Sequence, residues 1–220
     1  VTTTAWLAQR REVVAVCRAL WDAGLIAGPD GNVSVRLGPD RVLATPSGAS
    51  KRDLAPSDLV VCRMDGTPVR RRGAATPRPS SELGLHLRAY ARRPDVAAVV
   101  HAHPPTATGF GVAGEDLTVP VLPEVILQMG TVPLVPYATP GTPAVADGFE
   151  PYWAAHDVFL MANHGALALG PTLTVAHQRM ESLEHAARIM LAARQLGRVR
   201  RLAARDVAAL EARRAAEGKR

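Results

Sequence analysis

The chain has 220 residues, 47% of them apolar and 21% charged, with a mean hydropathy of +0.03; this composition suits a folded domain with one buried core and excludes intrinsic disorder. No apolar run approaches the roughly 20 residues needed to cross a bilayer, and the opening Val1-Thr2-Thr3-Thr4-Ala5-Trp6 lacks the order of a signal peptide, so a cytoplasmic location is expected. The formal charge is +6, and the whole excess lies in residues 192–220, where nine basic side chains meet three acidic ones.

In chain order, apolar residues at Leu7, Val13, Val14, Cys17, Leu20, Trp21 and Leu25 predict a long amphipathic helix over 5–26. Short β-type runs follow at Val33–Leu37, Val42–Ala44 and Leu59–Arg63, with turn residues between them. Arg70–Pro79, basic and Pro-bearing, reads as an exposed loop. Ser80-Ser81-Glu82 then opens a serine-capped helix carrying Leu83, Leu85, Leu87 and Tyr90, with Glu82 in its first turn. Val96–His103 predicts a strand stopped by Pro104-Pro105. Val119–Glu124 and Val132–Pro136 read as extended, Pro143–Ala155 as helical and Val158–Ala162 as a strand ending at Asn163-His164-Gly165. A last long helix is expected over 172–196. With no repeat and no linker, a single α/β domain over 1–196 is expected, followed by a basic Ala/Arg-rich helix or tail over 197–220. That tail has no aromatic to stack on a base, so a solvated helical end is the reading and nucleic acid is not expected as a partner.

With Cys17 and Cys62 the only cysteines, any metal must be held by histidines and carboxylates. His101 and His103, two apart on a predicted strand, leave the same face roughly 6 to 7 Å apart at the backbone. His164 could complete a three-His site with an open fourth position, for which zinc is the natural ion. Taken alone, the spacing reads first as semi-buried packing histidines and only then as a ligand set. Glu82 beside Ser80 and Ser81 offers a base next to an anion cradle, or simply a capped helix with an acidic first turn. Gly31-Asn32-Val33-Ser34 and Thr45-Pro46-Ser47-Gly48 hold the hydroxyls, amides and backbone N–H groups of anion nests, and each alone is also an ordinary turn. His86 could orient Glu82 or merely pack. His156, His177, His185 and Glu124 have no chemical context, and Trp6, Trp21 and Trp153 read as core or interface aromatics.

Taken together and in order, these pieces resemble the class II, zinc-dependent sugar-phosphate aldolase family, which includes fuculose-1-phosphate aldolases and ribulose-5-phosphate 4-epimerases. The motifs that carry the resemblance are Gly31-Asn32-Val33-Ser34-Val35-Arg36, Thr45-Pro46-Ser47-Gly48, Pro79-Ser80-Ser81-Glu82, His101-Ala102-His103, Pro136-Tyr137-Ala138-Thr139-Pro140-Gly141-Thr142 and Asn163-His164-Gly165, spread over most of the chain. The resemblance implies a three-layer α/β/α fold around a mainly antiparallel sheet, and a homotetramer with active sites between subunits. It implies Zn2+, or another divalent metal, on His101, His103 and His164, with Glu82 as a fourth ligand that leaves to act as acid and base. It implies a phosphorylated sugar held at Gly31, Asn32, Ser47, Gly48, Ser80 and Ser81, and Tyr137 reaching the aldehyde oxygen from the adjacent subunit.

The implied activity is a metal-dependent aldolase that reversibly cleaves a ketose 1-phosphate, of fuculose or deoxypentulose type, into dihydroxyacetone phosphate and an aldehyde. Such a metal stabilises the electron pair left beside the carbonyl, so no imine-forming lysine is needed. Lys51, in a polar loop, and Lys219, at the end, are the only lysines, which argues against imine chemistry. Same-fold epimerases, decarboxylases and dehydratases are the alternatives within enzymes; epimerising relatives carry Asp at the position of Glu82, which favours the aldolase. The alternative of another class is a non-catalytic interaction module, against which the complete His and Glu set argues. Family aldolases often place a further Tyr in a mobile C-terminal segment, whereas no tyrosine follows Tyr152 here.

Overall fold

The computed structural model describes residues 6–70, 73 and 75–218. The chain's first five residues, including Ala5 where the first helix is predicted to open, lie outside the described residues, as do positions 71, 72 and 74 of the predicted loop and Lys219.

Seven strands form one open sheet: β1 (Asn32–Arg36), β2 (Arg41–Ala44), β3 (Val60–Arg63), β4 (Ala98–Ala102), β5 (Leu134–Val135), β6 (Val158–Met161) and β7 (Gly165–Gly170). Their order across the sheet is β3-β2-β1-β4-β7-β6-β5, and every pairing is antiparallel except β5 with β6. The helices are α1 (Leu7–Asp22), α2 (Leu83–Arg92), α3 (Pro105–Val112), α4 (Pro123–Gln128), α5 (Pro143–Asp147), α6 (Leu173–Gln195) and α7 (Ala204–Ala216). Strand alternation sorts the core into two layers. Val33, Val35, Val100, Leu160 and Ala168 pack under α1, α3 and α6, while Val42, Val60, Val99, Phe159 and Leu167 pack under α2 and α5. The fold is therefore α/β with helices on both faces of a mostly antiparallel sheet. Truncating a fully buried side chain such as Leu20 or Leu160 to alanine would cost about 2–5 kcal/mol.

Several predicted boundaries move for identifiable reasons. The first helix stops at Asp22 because Gly24 takes a left-handed φ of 68° and the Gly24 and Leu25 amides fold back onto Trp21 and Leu20. Pro105 does not end the chain's regular structure but opens α3, whose Thr106 and Ala107 amides donate to the buried Glu184 carboxylate of α6 at 2.9–3.2 Å. Pro123 likewise opens α4 where extended chain is predicted. The predicted helix over 143–155 is regular only to Asp147 and continues as turns past Gly148 and Pro151. β7 is absent from the sequence reading, since Gly165-Ala166-Leu167-Ala168-Leu169-Gly170 lacks β-branched residues. Its small residues fit a central strand buried on both faces: a Cβ on Gly170 would sit 2.6 Å from the Ala176 amide. The basic tail is not wholly solvated, because Arg214 of α7 is buried and donates to the Ile126 carbonyl of α4 at 3.0 Å.

Candidate metal centre

Four elements converge at one end of the sheet. His101 sits near the end of β4, on the face that α2 covers, and pairs in register with Asn32 of β1. His103 lies just past β4. His164 stands in the turn between β6 and β7, where Asn163 adopts a left-handed φ of 54° and the next residue is Gly165. Only glycine fits there, because a Cβ would lie 2.5 Å from the His103 ring and 2.6 Å from the Ala102 carbonyl. Gly31 is equally constrained, at φ 71° with a Cβ position 2.9 Å from the His101 carbonyl.

Glu82 is the residue at the N-cap position of α2, one place earlier than predicted, and no serine side chain caps the helix; instead the Glu82 amide donates to the Ser80 hydroxyl at 3.3 Å. This places the Glu82 carboxylate over the histidines, with Oε2 3.3 Å from His101 Nε2 and Oε1 3.2 Å from His164 Nε2. Asn32 Nδ2 donates to Glu82 Oε2 at 2.7 Å and holds it there.

The tautomer of His101 follows from its surroundings. A carbonyl oxygen only accepts, so Nδ1, 2.9 Å from the Ala166 carbonyl, carries the proton and Nε2 presents a lone pair to the cluster. His103 Nε2 lies 3.1 Å from that atom, while its Nδ1 faces the Asp30 carboxylate at 3.6 Å. The donor nitrogens of the three histidines all lie within 4.8 Å of one another. Two ligands on a tetrahedral ion with bonds of about 2.05 Å stand roughly 3.3 Å apart. The spacings of 3.1, 3.2 and 3.3 Å match such edges. Glu82 Oε1 is moreover buried without a hydrogen-bond partner, although an imidazole nitrogen lies close by. The donor set therefore fits one divalent cation.

The electrostatics point the same way. Burial pushes His101 down to about 4 against the pull of Glu82, keeping the imidazole neutral and able to ligate. Burial alone would raise the Glu82 carboxyl, but His101, His164 and Asn32 together hold it well below the usual carboxylate range. His86 neither touches Glu82 nor merely packs: its Nδ1 lies 2.7 Å from the Ser34 hydroxyl, itself 2.8 Å from the Tyr90 hydroxyl, in a fully buried chain.

A cleft of about 360 Å³ opens beside Glu82, His103 and His164, and Gly31, Asn32, Ser47, Gly48, Ser80 and Ser81 all line it. Its wall is built by docking the turn after β2 onto the segment before α2: the Ser47 amide donates to the Arg78 carbonyl at 3.0 Å and the Ser80 amide to the Thr45 carbonyl at 3.1 Å. The Ser47 amide is thus engaged within the wall rather than offered to a ligand. Tyr137 does not join the cluster within the chain; it is 59% exposed on the loop after β5. Sequence reading weighed Lys51 only as an imine former and gave Asp30 no role, yet both line the cleft; the cue was the scarcity of lysine and the position of Asp30 directly before Gly31-Asn32.

Known proteins resemble this chain along most of its length. Residues 11–191 match the family model described as class II aldolase and adducin N-terminal domain. The 3-oxo-tetronate 4-phosphate decarboxylase of Escherichia coli K12 is 33% identical over 185 residues, which cover 82% of this chain and 85% of the relative. The L-fuculose phosphate aldolase of Methanocaldococcus jannaschii is 29% identical over 182 residues, covering 83% and 95%. Among solved structures, YgbL from Escherichia coli superposes with a TM-score of 0.85 at 32% identity, covering 93% of this chain and 98% of the other.

Proposed function

Because the chain belongs to the class II aldolase and adducin N-terminal domain family, we propose that it is a metal-dependent lyase that breaks a carbon–carbon bond next to a carbonyl in a phosphorylated sugar or sugar acid. One observation carries this reading: three imidazoles and the Glu82 carboxylate converge within ion-binding distance at the floor of a cleft rimmed by Ser47, Ser80 and Ser81.

His101, His103 and His164 would hold the ion, zinc being the natural choice for neutral imidazoles, with Glu82 adjoining it. Bound there, a divalent cation supplies the Lewis acidity that accepts the electron pair released beside the carbonyl. The Ala166 carbonyl keeps the His101 lone pair aimed at the cluster. Glu82, ionised and steered by Asn32, takes or returns the proton at the reacting carbon. Gly31, Asn32, Gly48 and the hydroxyls of Ser47, Ser80 and Ser81 hold the phosphate and thereby fix the register of the carbonyl.

The departing group separates two readings. Similarity to the Escherichia coli decarboxylase supports loss of carbon dioxide from a 3-oxo acid phosphate, a step that needs no acid for an aldehyde oxygen. Similarity to the fuculose phosphate aldolase supports release of an aldehyde, for which Tyr137 would serve from a neighbouring subunit of a homotetramer. Its exposure suits that use, since a tyrosine with 59% of its surface free can enter another copy's cleft. We take decarboxylation as the leading reading, because it asks only for residues that one chain brings together.

The test is product analysis on a panel of ketose 1-phosphates and 3-oxo sugar-acid phosphates, with the wild type and Tyr137→Phe. Carbon dioxide release that survives Tyr137→Phe supports decarboxylation. Aldehyde release from a ketose 1-phosphate that collapses in that variant supports the aldolase, and chelator-insensitive turnover would overturn both.

A further inference from the structure

Charged side chains are buried in several places, and most are matched by opposite charge. Asp157 faces Arg93 and Arg179, each at 2.7 Å, and Glu184 faces Arg188 at 2.8 Å. Lys51 differs. It is 2% exposed, yet among the described residues no carboxylate lies within ion-pair distance of it. Its Nζ donates to two carbonyls instead, those of Pro29 and, at 2.9 Å, Ala49.

Those carbonyls belong to the two turns that shape the cleft: Pro29 precedes Gly31 and Asn32, and Ala49 follows Ser47 and Gly48. An ammonium has three N–H donors, of which these contacts take two. Lys51 itself lines the cleft beside Ser47, Ser80 and Ser81. Burial lowers its affinity for the proton, opposed by Cys17, Asp30 and Glu82. A buried cation without a paired anion is costly unless a ligand supplies the opposite charge.

We propose that Lys51 is the residue that reads the charge of the substrate's phosphate: it ties the two cleft turns together and gives its third N–H to a phosphate lodged against Ser47, Ser80 and Ser81. The assignment deepens the proposed function, resting on its reading of the substrate as phosphorylated. Lys51 acts here as a specificity residue, with no part in breaking the bond.

The chain's two lysines, Lys51 and Lys219, make the test direct. In metal-loaded wild-type protein labelled with carbon-13 at lysine Cε, inorganic phosphate should move the Lys51 signal saturably and leave the Lys219 signal in place. Lys51→Met and Lys51→Gln should weaken phosphate binding at least about tenfold, as loss of a charge-assisted hydrogen bond does. A clamp without charge recognition would harm all substrates alike, so kcat/KM should fall further for a phosphorylated substrate than for its unphosphorylated counterpart. Phosphate that binds without moving the Lys51 signal, phosphate that does not bind, or equal losses on both substrates would each overturn the assignment. Failure of the lyase reading looks different: the Lys51 signal would still respond to phosphate while no phosphorylated sugar is turned over.

Discussion

The two ends of the central sheet both bury charge, and they do so in opposite ways. Where β4 and β6 begin, Asp157 is met by the guanidinium groups of Arg93 and Arg179 at 2.7 Å and of Arg214 at 3.6 Å. Those arginines spend further donors on the carbonyls of Trp153, His156, Leu169 and Ile126. Where the same strands finish, Glu82 is met by two imidazoles and an amide, and a cleft opens beside it. Guanidinium stays charged throughout the working pH range, so the first end is a fixed brace between α6, α7 and the sheet. Imidazoles can exchange a proton or bind an ion, so the second end is suited to chemistry. Strand β4 joins the two, with Arg93 at the end of α2 in the segment that leads into it and His101 near its end.

Breaking each end should therefore have different consequences. Glu82→Gln should lower turnover by about 10²–10⁴-fold, the usual contribution of a placed acid–base group, with little loss of folding stability; steady-state kinetics and thermal unfolding on the same preparation check this. Full activity in that variant would remove Glu82 from its proposed role. Asp157→Ala should cost about 3–5 kcal/mol in a denaturant titration, because it strands buried guanidinium groups without their carboxylate. If stability barely changed, the brace would be water-filled rather than ionic.

The pH dependence sharpens the contrast. His86 is fully buried between the sheet and α2, and burial pushes it from 6.5 down to about 3. The unfolded chain then binds the extra proton first, so stability should fall as the pH drops below about 6.5, by about 1.4 kcal/mol per unit at most from this group. His86→Gln should flatten that slope in unfolding curves taken between about pH 4 and 6.5, and an unchanged slope would assign the acid sensitivity elsewhere. The smallest effect is expected at the cleft wall. Ser81→Ala should raise KM for phosphorylated substrates by about tenfold with kcat nearly unchanged, as loss of a hydrogen bond to a charged group does. An unchanged KM would place the phosphate away from Ser81.

Much of the site is legible in the sequence because it is made of short local motifs. Asn163-His164-Gly165 reads as a turn, and only the close approach of Gly165 to His103 shows why the glycine must stand there. Ser80-Ser81-Glu82 reads as a helix start, displaced by one residue because Glu82 itself takes the N-cap position. What escaped the reading depends on distant partners. α3 exists where Pro104-Pro105 suggests a stop because Glu184, 78 residues on from Thr106, accepts its first amides. β7 exists without β-branched residues because β4 and β6 bond it on both sides. Lys51 was weighed only as an imine former, whereas its burial against two carbonyls at the cleft is a property of the folded chain.

The most direct measurement is metal content by elemental mass spectrometry after zinc reconstitution and dialysis, on wild type, Glu82→Gln and His103→Ala side by side. Wild type and Glu82→Gln should retain about one ion per chain and His103→Ala should retain almost none, since one lost imidazole opens a three-His site. Wild-type protein that holds no ion, or a His103→Ala variant that holds as much as wild type, would contradict the metal centre on which the proposed chemistry rests.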